Sequence, residues 1–261
     1  MEPARLTTPR LTGAQNFRDV AGTATTYSLE GGTRLADGVV YRSNALDRLT
    51  DEDMERIADL DVRTVIDLRS DEEIEGHEDV LPQGVEWVHV DVMGRGDTAV
   101  NPLRQFDVDT PEAAAQALAS ANVAFVEDAN QREAFRDAIR VIAEADGAVL
   151  FHCTAGKDRA GWLSAVLQLA AGVDEADVTA DYLASNEYNA AWMAETGASL
   201  AEQYGEDMGA TYAVLLGVQE EFLAAGLEAM TAQYGGIEGY LRDGLGLDAG
   251  TVDALKRKLT V

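Results

Sequence analysis

Apolar positions along this chain fall into two rhythms. Val62-Arg63-Thr64-Val65-Ile66-Asp67-Leu68 is short and rich in β-branched residues, Val85-Glu86-Trp87-Val88-His89-Val90 alternates, and Ala148-Val149-Leu150-Phe151 is uniformly apolar. Runs of this length and composition predict buried strands. Longer stretches carry a helical spacing. One is polar and begins near Thr50-Asp51-Glu52-Asp53; another, Gly161 to Ala171, is apolar on most sides and stops at Gly172, a helix C-terminal signal. Helical patterns separating short strands predict an α/β fold.

Residues 94 to 122 open with Gly, Asp, Asn and Pro and continue into the alanine-rich Pro111 to Ala119. This reads as an excursion carrying a helix, a candidate movable cover. From Asp174 onward, helical patterns alternate with breaks at Gly205, Gly209, Gly217 and Gly235-Gly236, which predicts a helical layer. No internal repeat, low-complexity linker or domain boundary interrupts residues 1–261, so one domain is expected.

Composition narrows the function classes. A formal net charge of −27 argues against nucleic acid or an anionic membrane as a general partner, so any anionic ligand must find a local positive site. The carboxylates are spread along the chain, which suits a heavily solvated acidic surface, as in salt-adapted proteins, or an ordinary acidic protein of a GC-rich genome. Met1 to Arg10 contains charges and prolines but no apolar run, so neither a signal peptide nor a membrane span is expected there, and the expected location is the cytoplasm. A single cysteine excludes an intramolecular disulfide. His77, His89 and His152 lack the paired short spacings of zinc sites, so neither a metal nor another cofactor is expected.

The lone cysteine lies in His152-Cys153-Thr154-Ala155-Gly156-Lys157-Asp158-Arg159, between the third predicted strand and the apolar helix. A phosphoryl group is bound most readily by backbone N–H groups at a helix N-terminus, where unpaired donors and the helix dipole act together. Thr154, Ala155 and Gly156 are small enough for the backbone to curl around an anion. Arg159, at the helix start, can grip two phosphate oxygens at once. The same field favours a thiolate, which makes Cys153 the expected nucleophile and a phosphocysteine the expected intermediate. His152 is most simply an orienting residue. For the general acid there are two candidates, Asp158 inside the loop and Asp91 after the second strand.

The loop, together with Asn16-Phe17-Arg18-Asp19-Val20-Ala21, Tyr41-Arg42-Ser43-Asn44, Asp67-Leu68-Arg69-Ser70, Asp181 to Asn186 and Gly239 to Asp243, resembles the bacterial tyrosine-phosphatase family with a Cys-x-x-Gly-Lys-Asp-Arg loop. The motifs run from residue 16 to residue 243 in the family's order. That resemblance implies a central, mainly parallel sheet flanked by helices, with a helical lid in some members and no metal. It implies activity on phosphotyrosine proteins or peptides, often extending to phosphoserine, phosphothreonine or phosphoinositides. It assigns Cys153 as nucleophile and Arg159 as phosphate clamp, with Lys157 and Asp158 facing substrate, and its residue-for-residue match favours Asp158 over Asp91 as general acid, while Arg18, Arg42 and Arg69 are expected to form framework ion pairs. Ala160 departs from the hydroxyl residue that commonly follows the loop arginine, which implies slow breakdown of the phosphoenzyme. A sulfurtransferase is disfavoured by the loop spacing and by His152, and a catalytically dead phosphate-binding module by the intact Cys153 and Arg159.

Overall fold

The three predicted strands are present, and two more join them. In the computed structural model, which describes residues 5–6, 8–94, 108–205 and 208–261, the strands are β1 (Arg18–Asp19), β2 (Val40–Ser43), β3 (Val62–Asp67), β4 (Glu86–His89) and β5 (Ala148–His152). They form one sheet in the order β1-β2-β5-β3-β4. β2, β5, β3 and β4 run parallel, and only β1 is antiparallel to its neighbour. β2 carries Tyr41, Arg42 and Ser43 on a strand buried along its whole length. The Arg42 side chain finds partners inside the protein, in Asp181 and the Gly156 carbonyl, which a hydropathy pattern cannot register.

Strand alternation divides the interior between two faces. Val40, Ile66, Val149 and Phe151 point into the larger core. Tyr41, Val65, Ala148 and Leu150 point into a smaller one with Leu11, Phe17 and Ile57. The smaller core is covered by α1 (Asp51–Asp59) and the N-terminal segment. Asp53 joins them, because its carboxylate accepts from the Thr50 backbone N–H at 3.1 Å and from those of Thr12 and Gly13 at 2.8 Å.

Beyond β3 comes the short helix α2 (Asp71–Ile74). The larger core is roofed by α3 (Pro111–Glu127), α4 (Ala129–Glu144), α5 (Arg159–Ala171), α6 (Glu175–Tyr188), α9 (Glu220–Tyr234) and α10 (Ala249–Leu259), with α7 (Ala190–Tyr204) and α8 (Gly209–Leu216) between α6 and α9. Helix α5 is buried on almost every side and ends at Gly172 in the left-handed conformation, as its pattern predicts. Among the described residues no helix is long and apolar enough to cross a membrane.

The excursion at 94–122 carries the expected helix where it is described. Its alanine-rich part belongs to α3, which buries Ala114, Ala117, Leu118, Phe125 and Val126. Helix α9 approaches so closely that a Cβ on Gly226 would lie 2.7 Å from Trp162 and 3.0 Å from the Asn122 carbonyl oxygen. Small side chains let this helix become part of the core. Residues 95–107, the rest of the expected cover, lie outside the described residues.

Candidate active site

In a parallel sheet, ligands bind beyond the carboxyl ends of the strands. Here Ser43, His152, Asp67 and His89 stand in register across β2, β5, β3 and β4. The segment from Cys153 to Asp158 leaves the centre of that row and enters α5. Gly156 makes the turn possible. Its φ is +70°, and a Cβ there would stand 2.4 Å from the Ser43 carbonyl oxygen.

Four successive loop carbonyls are held from outside. The Cys153 oxygen faces His152 Nδ1 at 3.3 Å. The Thr154 oxygen accepts from the Ala45 N–H at 3.0 Å. The Ala155 oxygen accepts from the side-chain amides of Asn16 and Asn189, at 3.0 and 3.1 Å. The Gly156 oxygen accepts from Arg42 Nη2 at 2.8 Å. Carbonyls turned outward leave the N–H groups between them turned inward, and such a concave array of donors binds an anion. Cys153 lies at its floor, 2% exposed.

Arg159 arrives already engaged. Its Nη1 and Nη2 donate to the two carboxylate oxygens of Glu73, each at 2.6 Å. Glu73 also accepts from the Ser70 backbone N–H at 3.0 Å and from the Thr154 hydroxyl. Since a guanidinium has two bidentate edges, the end-on edge is taken by Glu73 and the Nε–Nη2 edge is left for an anion in the loop. Sequence reasoning missed Glu73. The only signal was the helix-start pattern Ser70-Asp71-Glu72-Glu73, which announces a capping box and says nothing of Arg159.

Burial would raise the Glu73 carboxyl, but Arg159 and the neighbouring donors hold it down to about 2, against an ordinary 4.5. A depressed acid contributes stability that is complete above the unfolded value and is lost as the pH falls through the folded one. Glu73→Gln is therefore expected to be less stable than the parent at neutral pH. In urea titrations across the window from about 4.5 to 2 it should lose less further stability than the parent does. Parallel losses in the two proteins would show that the ion pair adds nothing.

On the other side of the loop, His152 Nε2 donates to Asp79 at 2.8 Å. Arg69 bridges Asp67 and Asp79 with contacts of 2.8 and 2.9 Å. Burial pushes Asp79 up, yet His152 and Arg69 keep its carboxyl below its ordinary value. Asp67, Asp79 and His152 lie close enough together to hold a metal ion. Their atoms are instead turned to Arg69 and to one another, so the framework pairing expected for Arg69 accounts for the cluster. Arg18 and Arg42 follow the same expectation, both pairing with Asp181, at 3.2 and 2.9 Å.

The remaining loop side chains take unequal positions. Lys157 is 5% exposed and its Nζ lies 3.0 Å from Asp158 Oδ2. Asp158 stands at the cap position of α5 but its side chain makes no cap hydrogen bond. A helix-start carboxylate with a purely structural role would take those amides itself. Ala160 is fully buried. Asp91, the alternative acid, follows β4 at the carboxyl edge of the sheet. Its Oδ1 accepts from the Met93 and Gly94 N–H groups at 2.9 and 3.0 Å, and it lines a groove with His89, Asn130, Glu133 and Asp137. Burial raises its carboxyl. Next to the loop is a different cavity of about 190 Å³, whose walls include Gln15, Asn44, Glu73, Thr154, Ala155 and Trp192.

The sequence pattern of the tyrosine phosphatase family matches residues 9–261. A tyrosine-protein phosphatase candidate of Cupriavidus necator is 34% identical over 241 residues, covering 89% of this chain and 82% of that one. The triple specificity protein phosphatase PtpB of Mycobacterium tuberculosis is 29% identical over 276 aligned positions, covering 94% and 96%. A tyrosine-protein phosphatase of Nostoc commune is 31% identical over 236 residues, covering 87% and 76%. With the family pattern spanning both the sheet and the loop that leaves it, this chain belongs to the tyrosine phosphatase family.

Proposed function

We propose that this protein hydrolyses phosphate monoesters, phosphotyrosine foremost, through a phosphocysteine formed on Cys153. The observation that carries this reading is the loop itself, four successive carbonyls tied back beside a buried cysteine. The thiolate attacks phosphorus in line with the ester oxygen, the P–O bond breaks as the S–P bond forms, and Asp158 gives its proton to the departing oxygen. Loop amides and the Nε–Nη2 edge of Arg159 follow the equatorial oxygens through the transition state. Water, deprotonated by Asp158, then attacks the phosphocysteine and returns the thiolate and inorganic phosphate. Lys157, held against Asp158, fixes the position of that carboxylate.

Phosphoserine, phosphothreonine and phosphoinositides are secondary substrates in this reading. A relative named for triple specificity supports that breadth, as does the open cavity beside the loop, whose walls include Gln15, Asn44 and Arg48. Rates measured side by side on a phosphotyrosine peptide, a phosphoserine peptide and a soluble phosphoinositide should rank in that order, with inhibition by vanadate and no effect of EDTA. Loss of activity in EDTA that zinc or magnesium restores would replace the mechanism. Turnover of none of the three would reduce the site to a phosphate binder.

A further inference from the structure

The charged groups around Cys153 can be followed element by element. Arg159 from α5 is matched by Glu73 from α2. Lys157 and Asp158 of the loop match each other. His152 and Arg69 stand over two carboxylates, Asp67 and Asp79. From β1, β2 and α6 come Arg18, Arg42 and Asp181, two guanidinium groups on one carboxylate, all three no more than 1% exposed. Counted by direct ion pairs, only this last group joins more positive than negative side chains; Asp19, which also comes from β1 and faces Asp181, turns its carboxylate to the Ala21 and Gly38 N–H groups and is pushed up to about 6 by burial.

Its position is as telling as its charge. Arg42 Nη1 bonds Asp181 Oδ2, while Nη2 reaches the Gly156 carbonyl oxygen in the loop. Arg42 Nε is buried with no hydrogen-bond partner among the described residues. An arginine kept only as framework would have its donors matched, because an unmatched buried donor costs stability. Arg18 holds the other oxygen of Asp181 and the side chain of Asn16, which itself holds the Ala155 carbonyl.

We infer that the buried Arg18–Asp181–Arg42 cluster is a positioning device with an excess positive charge, which stabilises the Cys153 thiolate from beneath the loop while Arg42 holds the Gly156 carbonyl away from the anion. Burial lowers Arg42 to about 10, with Arg18 acting in the same direction and Asp181 and Cys153 against it, so the guanidinium stays charged at neutral pH. The inference rests on the reading of Cys153 as a reactive thiolate. Its test is separable from catalysis, because Cys153 is the only cysteine of the chain and alkylation therefore reports on one sulfur.

The measurement is the rate of iodoacetamide modification against pH in the whole protein, together with a thermal melt of each variant. Arg42→Met leaves Arg18 and Asp181 balanced and should raise the pH midpoint of alkylation by about one unit, the lower end of what an opposite charge within a few ångströms provides. Arg18→Met should raise it by less. Asp181→Asn keeps the shape, removes the negative charge and should lower the midpoint. Arg42→Lys keeps the charge without the two-pronged contact and should stay near the parent. Opposite signs for Arg42→Met and Asp181→Asn are what a charge effect requires. Shifts of the same sign, or none, would overturn the inference. If Asp181→Asn does not fold, Arg18→Met against Arg42→Lys decides it: a rise in the first alone supports the inference, and any other pattern ends it. A parent protein with the midpoint of a free thiol would instead remove the reading of Cys153 itself.

Discussion

Replacing Cys153 by serine is expected to lower turnover of p-nitrophenyl phosphate by about 10⁵-fold or more, the scale on which loss of a nucleophile acts in enzymes that work through a covalent intermediate. Anion binding should survive. The loop backbone is held through its carbonyls by Asn16, Arg42, Ala45 and Asn189, and none of those contacts uses the sulfur. Orthovanadate or phosphate titrated into Cys153→Ser should therefore still bind, read by calorimetry or by protection against thermal unfolding. Activity of the variant within about a hundredfold of the parent would mean that phosphorus is attacked by something else. Loss of anion binding along with activity would mean that the thiolate, and not the backbone, shapes the well.

Asp158→Asn should produce a smaller loss with a signature of its own. A general acid matters in proportion to how badly the leaving group needs a proton, so a fall of about 10²–10⁴-fold is expected on an alkyl phosphate and much less on an activated aryl phosphate. The basic limb of the pH profile should disappear as well. The structural argument for Asp158 is that it declines the cap of α5 and stays beside Arg159, whereas Asp91 bonds its own turn and lines a groove with α4 residues. Should Asp91→Asn show the leaving-group pattern and Asp158→Asn show uniform losses, the two roles exchange.

How much of this could be read in advance depended on what the chain displays locally. β3, β5 and α5 announced themselves because burial on both sides demands apolar residues in a row. The loop was legible for a related reason, since its small residues, cysteine and arginine are contiguous. β2 was not read as a strand, because Arg42 is buried by virtue of side-chain partners more than a hundred positions away. Glu73 advertised a helix start and concealed its second task on Arg159. Asp79 carried no signal at all, although it holds His152. Lys157 was expected to face substrate, and its pairing with Asp158 is a matter of rotamer, which sequence does not encode. The helix in the 94–122 excursion was foreseen as a helix. Its place in the core depends on Gly226, which lies more than a hundred residues further on.

The ties on the loop carbonyls have a consequence for how the protein comes to be active. Asn16 lies 139 positions from the Ala155 carbonyl it holds, Arg42 lies 114 from that of Gly156, and Asn189 reaches back 34 to Ala155. A strand, a loop and a helix can form from nearby sequence, but an inward-facing ring of amides exists only after loops of that size have closed, and closing them is slow relative to local structure. During refolding from denaturant, helical circular dichroism should therefore return ahead of phosphate binding. A chain cut short of Asn189 would keep Cys153 and Arg159 in sequence while losing one of the clamps that turns them into a site.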